Sequence, residues 1–429
     1  MANAAPALVR IGVIGHGTVG AALTALVARQ ADHIEARTGV RLVVTRVAVR
    51  DLARHRGTVG AAQLTVDPFE VVGASDVDLV VELMGGTTVA RDVVMRALEA
   101  GKPVVTANKA LLAAHSAELF SLADASHTDL LFEAAVCGGI PLIRPLRESL
   151  RGEPIRRVLG IVNGTTNYIL TKMTEEGSDY ATALAGAQAL GYAEADPTAD
   201  VEGLDAAAKI AIVAMFAFGA RVLASDVYTE GISRISASDI AMARKFGYVV
   251  KLLGIAEANG QLVSVRVHPA LVHEQHPLAS VRDAFNAVLV EGEASGSLMF
   301  YGRGAGGDPT ASSVLGDVID AAVNKVRGTH AALGSFQPGQ FAAMDDVNNE
   351  YMLTLEVVDR PGVLHAVTGV FARHGVSIRA AEQDGIGTDA RLVFLTHGAR
   401  ERDVQSCMGE LRELDVVSRV GSTLRVITE

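Results

Sequence analysis

Residues 8–20 constrain the fold more than any other part of this chain. An apolar run from Leu8 to Ile14 leads into Gly15-His16-Gly17-Thr18-Val19-Gly20, and an alanine-rich stretch, Ala21 to Ala28, follows directly. A GxGxxG string alone is weak evidence, but strand, string and helix in that order form the opening of a βαβ unit. Gly15 permits the tight turn, Gly17 lets the backbone approach a pyrophosphate, and Gly20 allows helix and strand to pack closely. Thr18 and Val19 open the helix, whose free N–H groups and positive dipole end suit phosphate charge. The arrangement predicts an α/β fold with a doubly wound, Rossmann-type sheet that takes a dinucleotide.

A second strand, Leu42 to Val49, ends in Arg50-Asp51, with Arg54 and Arg56 close behind. An acid at a strand end can accept from ribose hydroxyls, whereas an arginine there suits a 2′-phosphate. Arg50 comes first, which favours NADP(H) and leaves NAD(H) open. The parallel pattern continues through Val77 to Leu83, which closes in Met84-Gly85-Gly86, and through Val104-Val105-Thr106 to Ala107-Asn108-Lys109. Lys109 thus stands at the carboxyl end of a strand, where open α/β sheets place their ligands. Asp129 to Phe132 opens into Glu133-Ala134-Ala135-Val136-Cys137-Gly138-Gly139-Ile140-Pro141. Glycines so placed can turn backbone carbonyls inward for a hard cation, though spacing alone favours a plain strand–helix turn.

Residues 187–209 carry the other strong signal. Glu194, Asp196, Asp200, Glu202 and Asp205 crowd together, Lys209 lies one helical turn beyond Asp205, and Ile210 to Phe218 is apolar. Positions i and i+4 share a helix face. A carboxylate and an ammonium aimed together into a polar pocket from a buried helix suit holding a small cationic substrate and moving a proton. The pair alone fits equally well with an acidic surface loop followed by an ordinary ion pair.

Together these residues resemble the homoserine dehydrogenase family, over essentially the whole chain. The resemblance rests on Gly15–Gly20, Val81-Glu82-Leu83-Met84-Gly85-Gly86, Thr106-Ala107-Asn108-Lys109, Glu133 to Pro141, Asn163-Gly164-Thr165-Thr166-Asn167-Tyr168-Ile169-Leu170, and the order Ala187, Gly191, Asp196, Pro197, Asp200, Gly203, Asp205, Lys209. It implies interconversion of L-homoserine and L-aspartate 4-semialdehyde with a nicotinamide cofactor. By the same resemblance Lys209 is the proton donor and Asp205 its partner in holding substrate. Glu194 and Asp200 line the amino-acid pocket, completed by Gly164, Thr165 and Tyr192, and Lys109 bridges cofactor and substrate. Glu133, Val136, Gly138 and Ile140 match main-chain ligands of a sodium ion. Gly302-Arg303-Gly304-Ala305-Gly306 resembles a glycine loop returning to the nicotinamide, so Gly306, with Gly191, joins the cofactor contacts. Homodimers or homotetramers are likewise implied.

At 429 residues the chain exceeds one ordinary core. The reading is a Rossmann domain over 1–143 completed by a helix over 310–327, an α+β substrate and dimerisation domain over 144–309, and a linker over 328–349. Residues 350–429 follow in a β-α-β-β-α-β order, the ferredoxin-like pattern, and resemble an ACT domain. Asp359 and Gly362 occupy the turn where such modules take an amino acid. The resemblance implies feedback by threonine, with a purely dimerising role as the alternative. The net charge of −11 without a basic stripe argues against nucleic acid, and the apolar runs are too short or interrupted for a membrane span. Two cysteines, Cys137 and Cys407, far apart in sequence, fit a reducing cytosol. Met1 to Pro6 lacks the features of a secretory signal and reads as a frayed tail. Two competing readings are another amino-acid dehydrogenase and a non-catalytic amino-acid sensor with a vestigial nucleotide fold. Lys109, Asp205 and Lys209 standing together count against the sensor.

Overall fold

The computed structural model describes residues 6–55, 59–385 and 390–428. Arg56 and most of the expected tail lie outside them. The chain forms two compact units. One gathers Met1–Ile155, Ala208–Asp226 and Asn286–Gly339; the other gathers Arg156–Ala207, Val227–Phe285 and Gln340–Glu429.

The first unit is built on six parallel strands: β1 (Ala7–Ile14), β2 (Val40–Ala48), β3 (Gln63–Thr65), β4 (Leu79–Glu82), β5 (Val104–Thr106) and β6 (Leu130–Leu131). Their order, β3-β2-β1-β4-β5-β6, is the doubly wound one. Buried on both faces, the strands read as nearly continuous apolar runs such as Leu79-Val80-Val81. Helix α1 (Thr18–Thr38) and the helix Gly307–Arg327 cover one face, where Leu23, Val27, Val314 and Val318 join the core of Val9, Ile11 and Val13. The helix expected over 310–327 is therefore present, three residues longer at its start. Close approach explains two glycines. A Cβ on Gly20 would sit 2.2 Å from the Gly15 carbonyl oxygen, and Gly15 itself takes φ +99° with the Leu83 carbonyl 2.5 Å from a Cβ position.

In the second unit, the strands Tyr248–Asn259 and Leu262–His273 form a long antiparallel ladder. The C-terminal residues form the expected ferredoxin-like module. Its strands run Val417–Val426, Asn348–Val357, Arg391–Thr396, Ile378–Asp384 in spatial order, with helices Val363–Arg373 and Glu401–Arg412. Tyr351, Leu353, Val367, Phe371 and Phe394 give it its own core.

Contacts in the folded chain group residues across the domains read from the sequence, for two physical reasons. From Ile210 onward the helix Leu204–Phe218 is apolar all round, with Ile210 to Met215 at most 1% exposed. A helix of that kind must be buried on every side, and its Phe216 ring packs with Phe120, Phe132 and Phe336 in the first unit. Residues 208–226 and 286–309 thus make most of their contacts within the first unit. Second, the module over 350–429 does not stand apart. Its last strand pairs in parallel with Leu262–His273 through Ala270–Arg425 and Leu271–Val426, so an edge that would otherwise be open is covered. The expected linker over 328–349 is divided between the units and carries short paired strands, Gln337–Pro338 and Gln340–Phe341.

Arg425 holds that seam. Its side chain is 1% exposed and grips Glu401 twice, at 2.8 and 2.7 Å, and Glu230 twice, both at 2.9 Å. A buried charge pair survives when its remaining donors and acceptors are satisfied. Tyr351 donates to Glu401 at 2.9 Å, and Tyr228 donates to Glu230. Arg425→Met, which strands Glu401 without its partner, is expected to lower unfolding free energy by about 3–5 kcal/mol in urea titration. Adding Glu401→Gln should recover part of that loss.

Candidate active site

The first unit presents a cradle at the carboxyl ends of β1, β2 and β4. Gly15 N donates to Ala48 O at 3.0 Å and Leu83 N to Ile14 O at 2.7 Å, which fixes the turn beneath α1. Helix α1 has no side-chain cap and no acid in its first turn, so its leading N–H groups remain for an anion. A Cβ on Gly17 would meet nothing within 4 Å, and the space it leaves open belongs to a cavity of about 590 Å³. Gly15, Gly17, Thr18, Arg50, Asp51 and Arg54 line it. Gly307 closes on this turn as well, a Cβ there lying 3.1 Å from Thr18 Cγ2, while Gly306 takes φ +123°. Gly306 and the GxGxxG turn are therefore neighbours.

On the other side of β1, Glu82 ends β4 fully buried. It accepts from Thr106 Oγ1 at 2.6 Å, Met84 N at 2.8 Å and Gly85 N at 3.2 Å. Burial pushes this carboxyl up and those bonds oppose the shift. Asn108 caps the helix Lys109–Ala125 by accepting from Leu111 N and donates to Gly86 O at 2.7 Å. Lys109, half-buried, is the first residue of that helix. Glu82 was not among the expected site residues. Its signal is an acid closing an apolar strand immediately before a Gly-Gly turn.

The turn after β6 has the character a cation needs. The Glu133 carboxylate accepts from the backbone N–H groups of Leu142, Ile143 and Arg144, and its own N–H donates to Asp317 at 2.7 Å. That side chain is committed to shaping the turn. Cys137 and Gly138 are both left-handed (φ +55° and +48°), and a Cβ on Gly138 would lie 2.4 Å from Gly304 O. Glu133 O accepts only a long bond from Val136 N, at 3.4 Å. The carbonyls of Val136, Gly138 and Ile140, all buried residues, accept no hydrogen bond among the described residues. Main-chain oxygens lacking donors fit a hard monovalent ion better than a transition metal.

The second unit holds the acidic stretch. Asn163 caps the helix Gly164–Glu176 by accepting from Thr166 N at 2.9 Å. Its amide nitrogen donates to Asp200 at 2.7 Å and to Asp205 at 2.8 Å. One side chain thus holds two carboxylates side by side. Thr165 Oγ1 donates to Tyr192 O at 2.6 Å, and the Tyr192 ring packs at 5.2 Å on Tyr168. Gly164 is wedged against Ala284, whose carbonyl oxygen would lie 2.8 Å from a Cβ. Asp205 is 9% exposed in the first turn of Leu204–Phe218, and Lys209 follows one turn later, half-buried. Gly191 is left-handed (φ +75°) and exposed. The structure therefore gathers Asp200, Asp205, Thr165 and Tyr192. Glu194 is exposed, and its carbonyl accepts from Gln188 at 3.0 Å. Asn163, which organises the group, was absent from the expected site residues, although a helix-capping Asn ahead of Gly-Thr-Thr was legible.

Known proteins resemble this chain over most of its length. The family described as homoserine dehydrogenase matches residues 141–319, its NAD-binding domain 15–133, and the ACT domain 351–416. Homoserine dehydrogenase from Corynebacterium glutamicum is 49% identical over 424 residues, covering 97% of this chain and 95% of the relative. That of Mycobacterium tuberculosis is 49% identical over 430 residues, covering 97% of each. The crystal structure of a homoserine dehydrogenase from Thiobacillus denitrificans superposes with TM-score 0.93 at 40% identity and 98% coverage of both chains. A hyperthermophilic archaeal homoserine dehydrogenase in complex with NADPH gives TM-score 0.63 at 29% identity, covering 74% of this chain and 98% of the other.

The Asn163 arrangement has a pH signature. Asn163→Asp keeps a good helix cap but sets a third carboxylate against Asp200 and Asp205. Like charges raise a carboxyl pKa in the folded state. The resulting instability is absent where the acids hold protons and grows as pH rises. Chemical denaturation should show little deficit against wild type at pH 4 and about 2 kcal/mol by pH 7.

Proposed function

The chain belongs to the homoserine dehydrogenase family of oxidoreductases, and on that premise we propose that it reduces L-aspartate 4-semialdehyde to L-homoserine with NADPH, in the route to threonine, methionine and isoleucine. The single observation that carries the residue roles is Asn163 holding Asp200 and Asp205 together one helical turn before Lys209. Two carboxylates side by side suit the α-ammonium of the substrate. Glu194, being exposed, contributes charge at the rim. Gly164 and Thr165 offer backbone donors to the α-carboxylate beside Tyr192, and Lys109 adds a cation where the nicotinamide side is expected.

Bound NADPH supplies the hydride. As the aldehyde oxygen gains negative charge, the Lys209 ammonium stabilises it and delivers the proton. Asp205 keeps that ammonium charged and aligned. The cradle of Gly15, Gly17, Thr18, Val19 and Gly20 takes the pyrophosphate at the start of α1, with Gly191 and Gly306 as further contacts. Arg50 and Arg54 favour the 2′-phosphate over NAD(H). The carbonyls of Glu133, Val136, Gly138 and Ile140 hold a sodium ion that stiffens the turn. Threonine is the effector, taken at Asp359 and at Gly362, which is left-handed (φ +91°) and caps the helix Val363–Arg373. Assembly as a homodimer or homotetramer completes the reading. No helix among the described residues is long and apolar enough to cross a membrane, and the reading is of a cytoplasmic enzyme whose partners are small molecules.

Following NADPH absorbance with aspartate semialdehyde tests the reading. Lys209→Ala is expected to lower kcat by about 10²–10⁴-fold while leaving the fold intact by circular dichroism. A folded variant with near-normal turnover would remove Lys209 from the chemistry, and an inactive wild type would favour the sensor reading. Asp359→Asn should keep basal turnover and lose inhibition by threonine. Retained sensitivity would place the effector elsewhere.

A further inference from the structure

We propose that a second ligand site lies behind the helix Gly164–Glu176, where the Lys251 ammonium seats the carboxylate of a small molecule.

Lys251 stands in the strand Tyr248–Asn259 and is 2% exposed. It lines a cavity of about 420 Å³ whose walls lie entirely within the second unit. An ammonium has three protons to give and no lone pair. Two of them go to neutral oxygens, Asn167 Oδ1 at 3.0 Å and Val281 O. No carboxylate pairs with Lys251 among the described residues. Burying an ammonium without a counter-ion is costly, and packing alone would be served better by an apolar side chain.

The other groups around the cavity fix the charge of what fills it. Thr171 Oγ1 donates to Asn167 O at 2.7 Å and accepts from Asp283 N at 3.2 Å, and Thr174 Oγ1 donates to Leu170 O at 2.7 Å. Both hydroxyl protons are thus spent on the backbone of their own helix, which leaves Lys251 as the buried donor. At the mouth, Arg282 pairs with Glu175 at 2.7 Å, and Arg244 and Glu274 are exposed. Two guanidiniums and two carboxylates balance there, so the floor ammonium is the charge in excess. One excess positive charge matches a carboxylate, whereas a phosphate monoester brings nearly two negative charges. Burial lowers the Lys251 amine to about 8, a fall that Glu175 and Asp283 oppose and Arg282 assists. The group is therefore charged at neutral pH and loses its charge as pH rises through that value. Volume is no obstacle, since cavities of this size hold small molecules.

The site is separate from the acidic stretch but shares a helix with it. Asn167 N donates to Asn163 O at 3.3 Å, so Lys251 acts one helical turn behind the side chain that holds Asp200 and Asp205. Those two carboxylates repel a plain carboxylic acid, and the Lys251 cavity attracts it.

The test is calorimetric titration of propanoate, its neutral isostere propanamide and L-alanine into wild type and Lys251→Gln between pH 6 and pH 9. Propanoate should bind wild type at pH 7 and weaken roughly tenfold by pH 9, as the amine gives up its proton. Lys251→Gln, which keeps a donor for Asn167 but carries no charge, should weaken propanoate roughly tenfold at pH 7 and abolish the pH slope. Propanamide should bind neither protein. L-Alanine bound more tightly than propanoate identifies an amino acid as the occupant, its ammonium at Glu274; equal or weaker binding identifies a plain carboxylic acid. Unchanged propanoate affinity in a folded Lys251→Gln, propanamide bound as well as propanoate, or no binding to wild type would each overturn the assignment. A wild-type affinity that stays level up to pH 9 would do so without any variant.

Discussion

A carboxylate taken out of water must find donors, and in this protein that requirement shapes each functional turn. Glu82, Glu133, Asp205 and Glu401 are all less than a tenth exposed. Glu82 draws in the backbone after β4 and the Thr106 hydroxyl, which shapes the Gly85-Gly86 turn under Lys109. Glu133 collects three consecutive N–H groups from residues 142–144 and so fixes the path of the turn between them. Asp205 is held by Asn163, and Glu401 by Arg425. Removing the donor in any of these cases leaves a buried charge uncompensated, which is why the turns are stiff.

The same constraint explains which features are legible in the sequence. The glycine string declares itself because its demands are local. Gly15 must take a positive φ and Gly20 must carry no Cβ, whatever the rest of the chain does. The C-terminal module is legible for a similar reason, since alternation along Tyr351 to Val357 and one amphipathic helix suffice to suggest it. Asn163 is harder, because its partners lie 37 and 42 residues away and nothing near it announces two carboxylates. Glu194 is hard to place for the opposite reason. An acid in an acidic stretch resembles its neighbours, and only the fold separates the exposed one from those bound to Asn163. The division of the chain into units was hidden for a related reason. A helix apolar on every side shows that it will be buried, but not which core will bury it.

Within the second unit, the C-terminal module and the acidic stretch are mechanically continuous. Arg425 joins Glu401, on the module's second helix, to Glu230. Glu230 N donates to Val267 O, and two residues later Ile232 N donates to Val201 O. Between them Gly231 has no room for a side chain, with Val201 O 2.4 Å and Glu202 Cα 2.5 Å from a Cβ position. Val201 follows Asp200, which Asn163 ties to Asp205. The links are buried or part-buried bonds and one backbone contact at the packing limit, and packed interiors transmit displacement because they have little free volume to absorb it. A shift of the strand Val417–Val426 along its neighbour must therefore either break the Arg425 clamp, at the cost of stranding Glu401, or carry residues 230–232 and the Asp200 turn with it. Breaking costs several kcal/mol, which exceeds the 1–3 kcal/mol typical of allosteric coupling.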